Sequence, residues 1–301
     1  MDNVLITGTS GFVGRNISIL FDKENRHYTS LPLRGYWQSS IVKEYTAIIH
    51  LAGKAHDIKN VSDPNEYLEI NTNLTIQLFD IFLKGPARDF IFMSSVKAAA
   101  DAVNGVLIES VNAQPGTTYG KSKLKAEEYI LSQSLPEGKR VFILRPCMIH
   151  GPGNKGNLNL LYGVVKKGIP YPLGAFRNQR SFLSIDNLLF VIQSILDQAA
   201  IPGGVYQVAD DEPLSTTTII KLIGETINKK ARILNVSIPF IKAIAKMGDV
   251  LSLPLNTERL TKMTESYVVS NVKIKKALGI ARFPTSSQEG LIHTIKSFDK
   301  V

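Results

Sequence analysis

The first half of the chain alternates short apolar runs with segments whose apolar residues recur every three or four positions. The runs predict buried strands, and the recurring positions predict amphipathic helices. Strands are predicted at residues 4–6, 27–33, 47–52, 90–95 and 141–145, and helices from a glycine turn to about residue 24, over 64–83 and over 119–132. This alternation indicates an α/β fold: a doubly wound parallel sheet with helices on both faces.

The pattern becomes less regular beyond Pro146. It predicts a loop at 151–156, a helix near 158–167, strands near 182–185 and 205–208, and a helix starting at about residue 186. The rest is mostly helical, so a smaller second domain, interleaved with the first, is expected. We assign residues 1–150 to the first domain, with about 181–208 returning to it, and 151–301 mainly to the second.

A helix is also predicted from Phe240 to about Leu251, with Phe240, Ile244, Met247 and Leu251 along one face. Such an apolar stripe usually faces the core. Lys242 and Lys246 on another face leave contact with a membrane surface open as the alternative.

The composition is that of an ordinary soluble protein, with 44% hydrophobic and 20% charged residues among 301. We expect neither a leader peptide nor a membrane-spanning segment. The single cysteine, Cys147, fits a reducing cytoplasm and is expected to serve packing. The net charge of +9 favours anionic partners. Because the lysines are scattered, nucleic acid is not expected, and a small phosphate-bearing molecule accounts for the charge equally well.

Three glycines, Gly8, Gly11 and Gly14, lie at the junction between the first predicted strand and the first predicted helix. This spacing allows a tight turn, close approach to a pyrophosphate and close helix–sheet packing, with helix N–H groups facing the phosphates. We therefore predict a dinucleotide-binding turn. Its expected contacts are Gly8, Ser10, Gly11, Phe12, Val13 and Gly14.

The end of the second predicted strand bears on which dinucleotide binds. NAD sites usually carry an acidic residue there for the ribose 2′-hydroxyl, whereas an arginine accommodates the 2′-phosphate of NADP. Here Arg34 is present and no acid is. NADP is therefore favoured, with NAD as the alternative, and Arg15 is a second candidate for the phosphate.

Tyr119 and Lys123 are four residues apart on a predicted helix, so they share one face. A neighbouring cation can lower a tyrosine pKa by roughly 1–3 units, towards the range useful for acid–base catalysis. The pair is therefore a candidate catalytic site, with Lys123 expected to lower the pKa of Tyr119.

Several motifs together resemble the extended short-chain dehydrogenase/reductases of the NAD-dependent epimerase/dehydratase kind. These are Thr7-Gly8-x-x-Gly11-Phe12-x-Gly14, His50-Leu51-Ala52-Gly53, Phe92-Met93-Ser94-Ser95, Tyr119-x-x-x-Lys123, Arg145-Pro146 through Gly153, and Arg180 to Asp186. The third motif departs from the family, which more often has alanine in place of Gly53. The resemblance implies a Rossmann fold and a nucleotide-sugar substrate.

The resemblance also implies residue roles. Tyr119 would be the general acid/base, Lys123 would hold the nicotinamide ribose, and Ser95 would hydrogen-bond the reacting sugar oxygen. Arg180 would hold the sugar-nucleotide diphosphate. Further cofactor contacts would be Leu51, Ala52, Gly53, Asn71 and Ser94, and further substrate contacts Lys97, Asn157 and Arg259. No metal is expected, and a homodimer through the Tyr119 helix is a family habit.

A closer resemblance is to bacterial enzymes of surface-polysaccharide biosynthesis that act at C4 of UDP-N-acetylhexosamines. Two reactions are open: NADPH-dependent reduction of a UDP-4-keto-6-deoxyhexosamine, which Arg34 favours, and 4-epimerisation with tightly held NAD. A dehydratase is disfavoured because Val96 and Lys97 replace its usual Asp-Glu pair. A non-catalytic NADP sensor is a further alternative, although such relatives typically lose the tyrosine–lysine pair.

Overall fold

The computed structural model describes residues 3–41, 45–54, 63–154, 156–251 and 255–298. Its strands are β1 (Val4–Thr7), β2 (Tyr28–Leu31), β3 (Ala47–His50), β4 (Asp89–Met93), β5 (Val106–Leu107), β6 (Arg140–Pro146), β7 (Met148–His150), β8 (Phe182–Ser184), β9 (Gly204–Val208) and β10 (Val268–Val269). Its α-helices are α1 (Phe12–Lys23), α2 (Pro64–Tyr67), α3 (Leu74–Lys84), α4 (Thr118–Ser132), α5 (Asn157–Lys166), α6 (Ile185–Asp197), α7 (Thr216–Thr226), α8 (Ile238–Leu251), α9 (Thr257–Thr264), α10 (Val272–Leu278) and α11 (Ser287–Ser297).

Six strands form the central sheet in the order β2-β1-β3-β4-β6-β9, and all adjacent pairs are parallel. The chain leaves β1 towards β2 on one side and returns to β3 on the other. In open α/β sheets, ligands bind outside the carboxyl ends of the strands at such a switch point. The predicted cofactor turn follows β1, so it lies at this position.

The sheet is covered on both faces, as the sequence predicts. Along β1, Val4 and Ile6 belong to a core with α1 and α6, whereas Leu5 belongs to a core with α3 and α4. This alternation is the two-residue period of a strand buried on both sides. The doubly wound parallel sheet is therefore confirmed.

A third apolar core lies outside the central sheet and is built from α5, α7, α8, α9 and α11. Two further two-stranded parallel sheets pair β5 with β10 and β7 with β8. The strand β9 returns from this half of the chain to the edge of the central sheet. The division at residue 150 into two domains stays a prediction.

The predicted helix over 64–83 is present, but it is not α-helical throughout. A turn of π-helix over Leu68–Asn73 joins α2 to α3. π-Helical turns are rare and are often found at functional sites. Apolar periodicity indicates the helix but does not reveal this local widening.

The predicted core-facing stripe of α8 is wrong. Ile241, Ala245 and Gly248 form its buried face, whereas Phe240 and Met247 are largely exposed. A Cβ atom on Gly248 would lie 1.8 Å from the carbonyl oxygen of Leu255, so only glycine allows this close approach. The packing of α8 against the start of α9 therefore determines which side of the helix is buried.

Cys147 lies between β6 and β7 and is buried. Burial raises its thiol pKa well above the usual value, which suppresses the reactive thiolate. The prediction that Cys147 serves packing is confirmed. Among the helices that the structure describes, none combines the length and apolar character needed to cross a bilayer.

Candidate active site

The glycine turn brings β1, β3 and α1 together. Gly8 has φ of +74°, and a Cβ atom there would lie 2.6 Å from the backbone nitrogen of Ala52, which follows β3. Only glycine satisfies both conditions. The turn feeds directly into α1, with Gly11 as its N-cap. The first backbone N–H groups of a helix lack intrahelical acceptors. The N–H groups of Phe12 and Val13 are therefore suited to bind a pyrophosphate.

The end of β2 lies beside this turn, because Leu31 pairs with Thr7 of β1. The hydroxyl groups of Thr9 and Ser30 are 2.6 Å apart and connect the turn to β2. Arg34 follows β2 and is exposed, and no acidic residue occurs between residues 25 and 43. Arg15 of α1 donates to the Ser10 carbonyl at 2.9 Å. These residues therefore fit a dinucleotide at this crevice.

Tyr119 lies in the first turn of α4, and its phenol and the Ser95 hydroxyl are hydrogen-bonded to each other. Asp101 fixes the start of this helix by accepting from the backbone N–H of Thr117 at 3.0 Å. Thr117 then caps α4 by accepting from the N–H of Gly120. The predicted tyrosine–serine pair therefore comes together at the carboxyl end of β4.

Lys123 is buried on the next turn of α4, and its ammonium donates to the Met93 carbonyl at 2.8 Å. Burial lowers its pKa to about 8, against the opposing attraction of Glu127. The expectation that Lys123 lowers the pKa of Tyr119 is not met in the ligand-free protein. Burial raises the pKa of Tyr119, although its hydrogen bond to Ser95 opposes this, because the loss of solvation around the phenol is the larger effect.

A buried ion pair joins the helix α4, which carries Tyr119 and Lys123, to the central sheet. Sequence reasoning missed this pair. Arg145 of β6 donates through Nε to Glu127 of α4 at 3.0 Å and also through Nη2. Ser94 donates to the same carboxylate. Arg145 was predicted only as the start of a substrate loop. The spacing of Glu127, four residues after Lys123, is a signal that it shares the helix face.

Asn71 lies in the π-helical turn and is fully buried. Its side chain accepts from the N–H of Lys54 at 2.8 Å, donates to the Lys54 carbonyl and donates to the hydroxyl of Ser122 at 3.0 Å. The amide thus ties the loop after β3 to the catalytic helix. A Cβ atom on Gly53 would lie 2.9 Å from Asn71 Oδ1 and 3.1 Å from Lys123 Nζ. This crowding explains glycine where alanine is more usual.

A fully buried histidine connects the cofactor turn to this network. The two ring nitrogens of His50 lie 2.7 Å from the Thr7 hydroxyl and 2.8 Å from the Thr75 hydroxyl. Thr75 in turn donates to the carbonyl of Asn71. Burial, with a smaller contribution from the positive charge of Lys123, lowers the pKa of His50 to about 3. The ring is therefore neutral at physiological pH.

We expect His50 to make the protein acid-sensitive. The unfolded chain binds a proton at this histidine below about pH 6.5, whereas the folded protein does so only near pH 3. The free energy of unfolding should therefore fall by about 2 kcal/mol between pH 7 and pH 5 from this group. Urea unfolding at both pH values measures it. In His50→Gln this component should vanish, and in the exposed control His27→Gln it should persist; equal acid sensitivity in all three proteins would contradict it.

The predicted substrate residue Arg180 lies close enough to Lys97, another predicted substrate residue, to affect the pKa of Lys97. Burial lowers the pKa of Lys97, and the charges of Arg180 and Lys262 lower it further, while Asp101 and Glu265 oppose them. Arg180 donates to the carbonyl of Lys262 in α9 at 3.0 Å. Lys97 and Arg180 therefore lie together beside the turn that carries Ser95, and Arg180 is also paired with Glu265 at 3.5 Å.

The remaining predicted residues contribute less to this picture. Arg259 is exposed on α9, one turn before Lys262. Asn157 begins α5, and its side chain lies outside the described part of the structure. Tyr67, which sequence reasoning missed, packs edge-on against Tyr119 with ring centroids 6.3 Å apart.

Comparison with known proteins agrees with this geometry. The model of the NAD dependent epimerase/dehydratase family matches residues 4–209. A UDP-glucose 4-epimerase of Vibrio cholerae is 28% identical over 98% of this chain and 95% of its own length. The N-acetyl-alpha-D-glucosaminyl-diphospho-ditrans,octacis-undecaprenol 4-epimerase of Escherichia coli O157:H7 is 26% identical over 94% of this chain and 87% of its own. The solved structure of RMD from Pseudomonas aeruginosa complexed with NADPH has a TM-score of 0.76 and 21% identity, covering 100% of both chains.

The chain belongs to the NAD dependent epimerase/dehydratase family. It is an NAD(P)-dependent enzyme of the extended short-chain dehydrogenase/reductase type, and its reaction class is nucleotide-sugar epimerisation or reduction. A nicotinamide dinucleotide is its cofactor.

Proposed function

We propose that the enzyme is an NADPH-dependent 4-reductase of a UDP-4-keto-6-deoxy-N-acetylhexosamine in surface-polysaccharide biosynthesis. The observation that carries this choice is the end of β2, where Arg34 is exposed and residues 25–43 contain no acid. A guanidinium suits a 2′-phosphate, and the ribose hydroxyl of NAD would lack its usual carboxylate. A cofactor that is consumed in each catalytic cycle must leave the enzyme and be replaced. An exposed arginine at the position of the 2′-phosphate fits such an exchangeable cofactor.

Tyr119 is suited to donate the proton that the reduction needs. Burial raises its pKa, so the side chain is a phenol at neutral pH in the ligand-free protein. A phenol is the form that donates a proton to an oxygen as it gains negative charge. The second half-reaction of an epimerase needs the same proton donor, so this side chain can serve either reaction.

In the proposed reduction, each residue of the site has a distinct role. The dinucleotide would be held by the glycine turn and by Lys123, and when bound it supplies hydride to C4 of the ketosugar. Ser95 donates a hydrogen bond to the C4 oxygen and orients it. Tyr119 transfers its phenolic proton to that oxygen. The carbonyl thus gains one hydride and one proton and becomes an alcohol.

The cationic cluster suggests how the substrate is anchored. Arg180 can contact two diphosphate oxygens at once, a geometry that lysine does not supply. Lys97 lies near it and is partly buried, which strengthens its interaction with an anion. We assign the diphosphate to these two residues, with Asn157 and Arg259 as further candidates near the nucleotide.

The alternative reaction is 4-epimerisation of a UDP-hexose or UDP-N-acetylhexosamine with tightly held NAD. Both curated relatives described above are named 4-epimerases, which favours this alternative. The same Tyr119, Ser95 and Lys123 would serve it. The two reactions differ in the fate of the cofactor, because an epimerase regenerates it within each turnover.

The deciding experiment supplies nucleotide-stripped enzyme with each substrate in turn. We expect stoichiometric NADPH consumption with a UDP-4-keto-6-deoxy-N-acetylhexosamine, followed by absorbance, and an alcohol at C4 of the product by NMR. Little interconversion of UDP-GlcNAc and UDP-GalNAc is expected without added cofactor. Rapid interconversion without net oxidation of cofactor would replace the reductase with the epimerase.

The variant Arg34→Ala tests the cofactor assignment. Loss of a charge-assisted contact to the 2′-phosphate should weaken NADPH binding by about tenfold to a hundredfold. NADH binding should change little, because NADH lacks that phosphate and so serves as the internal control. Fluorescence titration of both reduced cofactors measures the effect. Equal loss for the two cofactors, or tighter NADH binding by the unaltered enzyme, would contradict the assignment.

A further inference from the structure

The helix α8 presents an apolar face to solvent. Phe240 is 59% exposed, Met247 59%, Val250 83% and Leu251 61%. At 100° per residue these four side chains fall on one arc of the helix, away from the buried face of Ile241, Ala245 and Gly248. Large apolar side chains are common singly on protein surfaces, but four on one exposed arc indicate a binding surface.

Lysines border this apolar arc. Lys242 and Lys246 lie between it and the buried face and are exposed. The nearby acid Asp249 accepts from the N–H of Thr257, the first residue of α9, at 2.9 Å. In the part of the chain that the structure describes, no ion pair engages either lysine. Their long stems can extend alongside the apolar arc and place the charge at its edge.

More positive charge lies in the segment between α7 and α8. Lys229, Lys230 and Arg232 are exposed just before the helix, and Lys229 donates to the carbonyl of Lys166 at 2.7 Å. This contact brings the basic end of α5, including Lys167, to the same place. Exposed basic residues thus border the apolar arc and also occur in the segment that leads to α8.

We propose that α8 docks the enzyme on an anionic membrane surface, lying in the plane of the interface with Phe240, Met247, Val250 and Leu251 in the lipid. An apolar arc bordered by lysines on a single helix is the pattern of interfacial helices. Each basic residue near an anionic membrane surface adds about 1 kcal/mol to the free energy of membrane binding at physiological ionic strength. The protein's net charge of +9 acts in the same direction.

A lipid surface fits this helix better than a second copy of the chain does. A stable protein interface buries roughly 800 Å² on each partner. Four partly exposed side chains on one helix supply only part of that area. Two copies meeting through α8 would also bring like-charged lysines together, whereas anionic lipid neutralises them.

Docking through α8 would orient the substrate cleft. α8 packs against α9, and the Lys262 carbonyl of α9 accepts from Arg180. The lipid surface would therefore lie one helix away from the arginine to which we assign the sugar diphosphate. This orientation alone rests on the proposed function; membrane docking itself does not.

Vesicle sedimentation tests the proposal without substrate. The protein is mixed with sucrose-loaded vesicles of phosphatidylcholine alone or of an equimolar mixture with phosphatidylglycerol. We expect the unaltered protein to sediment with the anionic vesicles and to be released by high salt. The double variant Phe240→Glu/Leu251→Glu should lose about tenfold or more of this binding, because it places charge in the lipid-facing arc. Ile19→Glu is the matched control: Ile19 is 67% exposed on α1, and binding should be retained.

Folding and self-association are measured alongside. Urea unfolding and turnover of a soluble nucleotide sugar show whether each variant is correctly folded. The double variant Lys242→Gln/Lys246→Gln provides a second, milder test of vesicle binding. No binding by the unaltered protein, or equal loss in Ile19→Glu, would overturn the proposal. So would light scattering that shows an oligomer dissociated by Phe240→Glu/Leu251→Glu, since the arc would then join two copies. Because binding is read without substrate, failure of the reductase assignment gives a separate result.

Discussion

Replacing Tyr119 by phenylalanine should reduce turnover by roughly 10²–10⁴-fold while cofactor affinity stays close to that of the unaltered enzyme. The substitution removes the phenolic oxygen that is hydrogen-bonded to Ser95, but it keeps the ring that packs against Tyr67. Proton transfer to the sugar oxygen is lost, whereas the binding surface is preserved. Steady-state kinetics and titration with the reduced cofactor measure the two effects separately.

Tyr129→Phe is the matched control for this prediction. Tyr129 is on the same helix, and its hydroxyl donates to Asp80 at 2.6 Å, away from Ser95. Its removal should cost some stability but leave turnover nearly unchanged. Full activity in a correctly folded Tyr119→Phe enzyme would remove Tyr119 from the mechanism.

Replacing Lys123 by methionine should abolish most activity and yet stabilise the ligand-free protein. Burial lowers the pKa of Lys123 from about 10.5 to about 8, so the folded state pays for holding the charge at pH 7. That difference corresponds to about 3 kcal/mol, and loss of the hydrogen bond to Met93 offsets part of it. We therefore expect a net gain of about 1–2 kcal/mol in the free energy of unfolding at pH 7.

The pH dependence provides the second measurement. The unaltered protein releases this proton near pH 8 when folded and near 10.5 when unfolded, so its stability should rise across that interval. The rise should be smaller in Lys123→Met and unchanged in Lys121→Met, where an exposed residue of the same helix is replaced. A destabilised Lys123→Met protein, or an unchanged pH profile, would show that the buried charge is compensated by its surroundings.

Local sequence was sufficient to predict the parts of the fold that depend on short segments. The runs at β1, β3, β4 and β6 are mostly apolar on both strand faces, which is typical of a covered parallel strand. The cofactor turn follows from glycine at positions that other residues cannot occupy, as the contact of Gly8 with Ala52 illustrates. Tyr119 and Lys123 share a helix face because of their spacing.

The surroundings of these residues depend on contacts between distant segments, which no local pattern records. Glu127 and Arg145 pair across α4 and β6, and Asn71 connects the loop after β3 to α4. The spacing of Tyr119 and Lys123 predicts proximity but not protonation. Burial of each side chain determines both pKa values, so the direction expected for Tyr119 was wrong.

The helix α8 shows most clearly what the sequence alone leaves undetermined. Its sequence is apolar around most of its circumference, so periodicity predicts a helix but allows more than one face to be buried. The close approach of Gly248 to the Leu255 carbonyl selects the face of Ile241 and Ala245. A side chain at position 248 would prevent that contact, and this steric condition exists only after α9 has folded against α8. The sequence therefore determined that α8 is an apolar helix, and the tertiary structure decided that Phe240, Met247 and Leu251 face outward.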